Sequence, residues 1–435
     1  MIWFYRFVWL ILLPVVLALY CLRFLKGKED KSRFLERFSL ETGNSPSTEL
    51  YNNNPQKHVV WFHGSSVGET KSVLPLIHRI NKSKNTGIKL LVTSGTKTSA
   101  KLMCKNLPEG VLHRYIPFDF WPFVNLFLKR YNPTISVFVE SEFWPELLHQ
   151  APNPILLNAR ISDRSAKRYK TLGFMMRPFI QKFKACYCQT EADAARLNLL
   201  GAQNTKVTGN LKFDAEPAVV KKEDVKPFAK IFKNKQVFVA SSTHNGEEEI
   251  IAEIHSRMKQ KFPQLITLIA PRHPERGKAI HNTLKKLGLH IAMRSKNEPI
   301  TEDTDIYIAD TIGELPLWYH FADVCFIGGS LVKHGGQNPI EPLQSGCITL
   351  CGPHMFNFRK IMEIFLGKGI ITQVKSAQNL ETEVEMYLQS TAKRQKQQKS
   401  IAKGMKGLSG ATDAAYTLLM NQLATIDKEK DTHGR

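Results

Sequence analysis

The chain has no CxxC pair, no HExxH and no similarly spaced histidine cluster, so the usual sequence framework of a protein-built zinc site is missing. Only seven cysteines occur in 435 residues, and the closest two, Cys186 and Cys188, are separated by one residue. That spacing excludes a disulfide framework and points to a reducing compartment. Neither GxxxxGK[ST] nor GxGxxG is present, which disfavours a P-loop NTPase or a Rossmann dehydrogenase. Acidic residues are scarce: 39 Asp and Glu stand against 60 Lys and Arg, for a formal charge of +21. An anionic partner is implied, whether nucleic acid, an anionic membrane surface or a phosphorylated substrate. Charge aside, 43% hydrophobic and 23% charged residues fit an ordinary globular chain of two or three domains. A wholly disordered, collagenous or multi-spanning protein is excluded.

One long apolar run exists, at residues 2–22, broken only by Arg6 and carrying Trp3, Tyr5, Trp9 and Tyr20. About 20 apolar residues can span a bilayer. No small-residue cleavage site follows; the run meets Arg23, Lys26, Lys28, Lys31, Arg33 and Arg37 instead. A membrane anchor is therefore expected rather than a cleaved signal peptide, with the bulk of the chain on the cytoplasmic side. A helix lying in the interface is the alternative, because Arg6 and Pro14 weaken a span.

Beyond a polar connector, short apolar runs alternate with amphipathic stretches. Residues 59–63, 89–93, 135–140, 154–158, 185–189 and 206–208 read as buried parallel strands, with helices such as 72–81, 99–106 and 191–199 between them. After a charged, Pro-bearing segment the rhythm restarts, with strands at 236–240, 265–270, 291–293, 306–309, 324–327, 348–351 and 369–374. The expected map is an anchor (1–22), a basic juxtamembrane segment and connector (23–57), an α/β domain (58–215), a linker (216–227), a second α/β domain (228–425) and a frayed tail (426–435). Doubly wound sheets bind ligands at the carboxyl ends of strands, so the active site is expected in a cleft between the two domains.

The chemistry-bearing residues follow those strands. Ser66 and Glu69, with Gly68 between them, fit a capping box, and a carboxylate there is equally placed to take a proton from an attacking hydroxyl. Glu140 and Glu142 lie two residues apart beside Trp144 and Pro145; on one strand face they would repel and raise one pKa. The alternative for Glu142 is a favourable place at the next helix N-terminus. Arg160, Arg164, Lys167 and Arg168 form a basic loop suited to acceptor phosphates, or a solvated face. Lys212 precedes the linker and has Asp214 as a nearby partner. In the second domain Arg272 and His273 end one strand, and Gly313, Glu314 and Leu315 end another. Gly328 and Gly329 lead through His334 and Gln337 to Asn338, Pro339, Ile340 and Glu341, where Asn338 as N-cap and Pro339 as first helical residue would leave free amides for an anion. Glu341 there fits either a capping role or ribose hydroxyls.

The motifs HGSSVGE, ESEFWPE, NARISDRS, GNLKFD, APRHPER, DTIGEL and GGSLVKHGGQNPIEP, in this order over some 280 residues, resemble the 3-deoxy-D-manno-octulosonic acid (Kdo) transferases. The resemblance implies a GT-B glycosyltransferase, inverting and needing neither metal nor cofactor, that moves Kdo from CMP-Kdo to a lipid A precursor in lipopolysaccharide core synthesis. It implies Glu69 as the base, and Glu140 with Lys212 as the pair stabilising the transition state, Glu142 being the possible substitute for Glu140. It further implies Arg272, His273, Gly313, Glu314, Leu315 and residues 338–341 as CMP-binding positions. Ser66, Gly68, Glu142, Arg160 and Arg164 are the acceptor-side candidates. One departure is visible: Glu146 stands where the family motif has Asn. The rival readings are another GT-B enzyme acting on a UDP-sugar and, from charge alone, a nucleic-acid-binding protein; no recognition motif for nucleic acid is present.

Overall fold

The protein is described by a computed structural model that covers residues 1–40, 58–83, 87–162, 165, 166, 168, 169, 173–215 and 220–433. The chain divides into two compact units, residues 1–215 with 408–435, and residues 216–407. Each is built on a seven-stranded, all-parallel sheet.

In the first unit the strands are β1 (His58–Gly64), β2 (Ile88–Ser94), β3 (Leu112–Tyr115), β4 (Ile135–Val139), β5 (Pro154–Ala159), β6 (Ala185–Cys188) and β7 (Thr205–Val207), in the order β3-β2-β1-β4-β5-β6-β7. Apolar residues cover both faces, as a sheet sandwiched by helices requires. Trp61, Phe127, Phe138 and Phe183 fill one side, and Phe62, Val92, Leu76 and Ile77 the other. The order reverses at β1 and β4, which creates the crevice where such sheets place ligands. The strand β3 was not among the expected strands; its central His113 and Arg114 are buried, bonded to Ser94 and to the Tyr131 hydroxyl.

The second unit holds β8 (Gln236–Thr243), β9 (Leu265–Pro271), β10 (Ile291–Met293), β11 (Ile306–Ile308), β12 (Val324–Ile327), β13 (Thr349–Cys351) and β14 (Thr372–Gln373), in the order β10-β11-β9-β8-β12-β13-β14. Its crevice lies between β8 and β12. The fold class is thus α/β with two doubly wound units.

The domain map needs three corrections. The last helix, Ala411–His433, belongs to the first unit and is not the end of the second domain with a frayed tail. Ala411, Ala415, Leu419 and Leu423 recur every four residues and bury against Leu76, Ile77 and Ile80. Asp214 accepts the Gly410 amide at 2.7 Å and also the Thr412 amide, fixing the start of that helix. The expected linker contains the start of a helix, Lys222–Phe232, whose Phe228 packs on Trp318. The N-terminal helix runs Ile2–Leu25, and two of the expected juxtamembrane charges turn inward: Arg33 and Arg37 lie over the Tyr115 ring at 4.9 and 5.0 Å. The helix is long and apolar enough to cross a membrane, and few of its residues are buried. Residues 41–57 of the connector lie outside the described residues.

Candidate active site

In the first unit the carboxyl end of β1 runs through Ser65 and Ser66 into the helix Val67–Lys82. Ser66 caps that helix, and the capping box is complete: the Glu69 amide donates to Ser66 Oγ at 3.3 Å and the Ser66 amide to Glu69 Oε2 at 3.3 Å. Glu69 also receives the Ser65 amide at 2.7 Å and the Ser66 hydroxyl at 2.7 Å. A Cβ on Gly68 would meet nothing closer than Ser66 Oγ at 3.9 Å, so packing does not demand a glycine there.

The expectation that Glu140 and Glu142 share a strand face is not met. The strand β4 stops at Val139, and Glu140 adopts φ +64°, a left-handed conformation that a side-chain-bearing residue rarely takes. The two carboxylates consequently part. Glu140 Oε1 lies 2.5 Å from Lys212 Nζ, so Lys212 pairs with Glu140 and not with Asp214. Glu142 turns to β1, accepting from Ser65 Oγ at 2.7 Å and from the Trp144 indole, with His63 Nε2 at 3.4 Å. Ser65 therefore ties Glu69, through its amide, to Glu142, through its hydroxyl.

These surroundings drive the two carboxylates apart in acidity. Burial, then the nearby Glu142 and Glu140 charges, raise the Glu69 pKa against the Ser66 hydrogen bonds. Glu142 is also penalised by burial, but hydrogen bonds from His63, Ser65 and Trp144 outweigh it and lower its pKa. Two neighbouring carboxylates whose surroundings push their pKa values in opposite directions are the pattern of an acid–base site.

His63 was missed in the sequence. It is fully buried in β1, with Nδ1 at 3.0 Å from Thr93 Oγ1. Thr93 Oγ1 also accepts from the Trp61 indole at 2.9 Å, so Trp61, Thr93, His63 and Glu142 form one buried chain of polar contacts. Arg160 is half-buried, and its amide approaches the Glu140 carbonyl at 3.4 Å. Arg164 lies outside the described residues.

In the second unit, the donor-side candidates fall at the ends of β9, β11 and β12. Arg272 and His273 are exposed beyond β9; the Arg272 guanidinium has no partner among the described residues. His273 lies 6.1 Å from the ring of His244, which stacks on His334 at 4.2 Å and contacts Gln337 Nε2 at 2.9 Å. His244 is a second residue that the sequence reading missed. Gly313 takes φ +92°, open to a close approach. Glu314 stands at the N-cap position of the helix Leu315–Phe321 but makes no side-chain cap bond; its carboxylate is clamped instead by Arg294 at 2.7 Å, and that hydrogen bond lowers its pKa.

The expected anion cradle is corrected in two respects. The helix after the glycine loop is a single short turn, Ile340–Gln344, with Pro339 at the N-cap position, although Asn338 Oδ1 still accepts the Ile340 amide at 3.1 Å. The amides of Gly329, Ser330 and Leu331 are not free, because the buried Glu247 carboxylate takes all three, at 2.6, 3.0 and 3.0 Å, together with that of His244 at 2.9 Å. Glu247 thus acts as an internal anion, a role no local pattern reveals. Among the described residues no three His, Cys, Asp or Glu side chains are grouped to hold a metal ion.

Strain at Glu140 invites a direct test. Glu140→Gly is expected to leave the unfolding midpoint unchanged or to stabilise the fold by about 1 kcal/mol through relief of the left-handed backbone, while it removes the Lys212 partner. A loss of more than about 2 kcal/mol in thermal unfolding would show that the ion pair outweighs the strain.

Two doubly wound units, each on a seven-stranded parallel sheet, make a GT-B-like architecture. A family model described as 3-deoxy-D-manno-octulosonic-acid transferase (kdotransferase) matches residues 32–215. A 3-deoxy-D-manno-octulosonic acid transferase of Rickettsia bellii is 34% identical across 88% of this chain and 90% of its own. Its namesake in Haemophilus influenzae is 31% identical across 90% and 92%. A solved UDP-GlcNAc 2-epimerase from Neisseria meningitidis, bound to UDP-GlcNAc, has a TM-score of 0.57 at 11% identity, covering 84% of this chain and all of that one, a likeness of fold alone. The chain belongs to the 3-deoxy-D-manno-octulosonic acid transferase family.

Proposed function

We propose that the protein transfers Kdo from CMP-Kdo to a hydroxyl of the lipid A precursor lipid IVA, with inversion and without a metal or other cofactor, in lipopolysaccharide inner-core synthesis at the cytoplasmic face of the inner membrane. The observation that carries this reading is the Glu69–Ser65–Glu142 arrangement, in which one carboxylate of raised pKa sits at the crevice of the first unit. Glu69 takes the proton of the acceptor hydroxyl as that oxygen attacks the anomeric carbon of Kdo, and the bond to the CMP oxygen breaks. The Glu140–Lys212 pair supplies fixed charge to the developing transition state.

A monophosphate leaving group carries less charge than a diphosphate, and Arg272 offers a guanidinium that nothing else among the described residues occupies. His273, Gly313, Glu314, Leu315 and residues 338–341 are read as the rest of the CMP site, and Ser66, Gly68, Glu142 and Arg160 as acceptor contacts. The +21 charge suits a phosphorylated glycolipid on an anionic leaflet, and nucleic acid has no part in the reading.

The test is a mass spectrum of lipid IVA after incubation with CMP-Kdo and the purified chain. Successive Kdo-sized additions, absent with Glu69→Ala, are the expected result, and their number counts the residues transferred. Unchanged lipid from folded protein would overturn the reading in favour of a UDP-sugar substrate, which a nucleotide-binding panel would then identify.

A further inference from the structure

The inner face of the N-terminal helix touches the first unit along most of its length. The Tyr5 hydroxyl donates to Asp119 Oδ2 at 2.7 Å, and Arg6 forms a two-pronged ion pair with Glu146, Nε to Oε2 at 2.9 Å and Nη2 to Oε1 at 2.6 Å. Trp9 stacks on Phe120, and the Tyr20 ring meets Phe118 at 5.1 Å. Tyr5 to Tyr20 covers about 22 Å of helix. A helix held at both ends of that stretch cannot cross a hydrocarbon core of about 30 Å without carrying Asp119, Glu146 and their neighbours into it. Its outward residues Trp3, Phe4, Phe7, Leu10 and Ile11 are exposed and apolar, the surface that an interfacial helix presents to lipid.

The polar contacts converge on one element. Asp119 accepts the amides of Glu146 at 3.1 Å and Leu147 at 2.7 Å, and so caps the short helix Pro145–Gln150 that directly follows the Glu140–Trp144 loop. Glu146 is fully buried, and Arg6 is the cation that balances it. The residue that departs from the family motif is accordingly engaged with the N-terminal helix.

We propose that the helix Ile2–Leu25 lies along the membrane surface as a latch, its outer face seated on lipid while Tyr5 and Arg6 hold the far end of the 140–146 carboxylate loop. Tyr5 and Arg6 are then positioning residues. Only the kinetic arm of the test rests on the function proposed above.

The test compares the full chain with Arg6→Ala, with Tyr5→Phe and with a triple variant, Phe4→Ser, Phe7→Ser and Ile11→Ser, on vesicles of phosphatidylethanolamine and phosphatidylglycerol. Arg6→Ala and Tyr5→Phe are expected to speed hydrogen exchange at the Glu146 and Leu147 amides about tenfold, with strand Ile135–Val139 unchanged. They should lower kcat about tenfold with donor KM within about twofold, and leave vesicle binding intact. The triple variant should lose vesicle binding and keep slow exchange. In sealed vesicles, with Cys104→Ser removing the other exposed cysteine, Trp3→Cys and the native Cys21 should react with an impermeant maleimide from the same side.

Unchanged exchange at both amides in both latch variants overturns the proposal, as does faster exchange with unaltered kcat, or labelling from opposite sides. If Arg6→Ala fails to fold, Tyr5→Phe, which removes a single hydroxyl, decides alone. Absence of Kdo transfer by the parent chain would count against the function, and the exchange and labelling arms would still decide the latch.

Discussion

Glu69→Gln is expected to lower kcat for Kdo transfer by about a thousandfold while CMP binding and the unfolding midpoint stay close to those of the parent. The substitution separates the capping role of this side chain from the base role proposed for it. Glutamine keeps a carbonyl oxygen for the amides of Ser65 and Ser66, so the capping box survives and the stability cost stays below about 1 kcal/mol. An amide cannot accept the acceptor's proton, so a residue serving only as a cap would leave kcat nearly untouched.

The pH profile gives a second reading of the same group. A base works ionised, so the raised pKa of Glu69 moves the acid limb of kcat/KM above that of an ordinary glutamate. Glu142→Gln removes a neighbouring negative charge, lowers the Glu69 pKa and shifts that limb to lower pH. Glu69→Gln retaining more than about a tenth of parental kcat would sink the assignment.

The sequence made much of this site readable, for physical reasons that differ by residue. Strands buried on both faces leave continuous apolar runs, so most of the strands, and with them the positions of Glu69, Arg272 and Gly313, could be read locally. The strand β3 escaped because His113 and Arg114 interrupt its run, and their burial is compensated by Ser94 and Tyr131, remote in sequence. The Glu140–Lys212 pair joins residues from different strand ends, so the family resemblance and no local pattern brought the two together, and strand alternation misplaced Glu142 because the backbone turns left-handed at Glu140. His63 and Glu247 look like ordinary polar residues in a strand and at a helix start; only the fold shows that each answers a specific buried partner.

Glu247 is where the largest loss of stability is expected. Its carboxylate, fully buried at the first turn of the helix Glu247–Lys259, accepts four backbone amides. Hydrogen bonds to a charged acceptor contribute roughly 1.5–3 kcal/mol each, and a buried amide left without a partner costs about 1–3 kcal/mol. Loop relaxation and water entry recover part of that sum, so Glu247→Ala is expected to destabilise the second unit by about 4 kcal/mol, or roughly 10 °C in melting temperature. Glu247→Gln keeps one oxygen but sets an amide group against a donor, and should lose about half as much.

Exchange at the Gly329–Leu331 amides should quicken in both variants, and CMP affinity should fall with the loop that leads to Asn338, whereas first-unit strands keep their protection. A melting temperature within about 2 °C of the parent for Glu247→Ala would show that the three loop amides find other acceptors. A rise in CMP affinity for Glu247→Gln would mean that these amides serve the ligand phosphate and that the carboxylate competes with it. A fall would mean that the protein fills this amide nest with its own anion to fix the loop, leaving the phosphate to Arg272 and the short turn at Asn338.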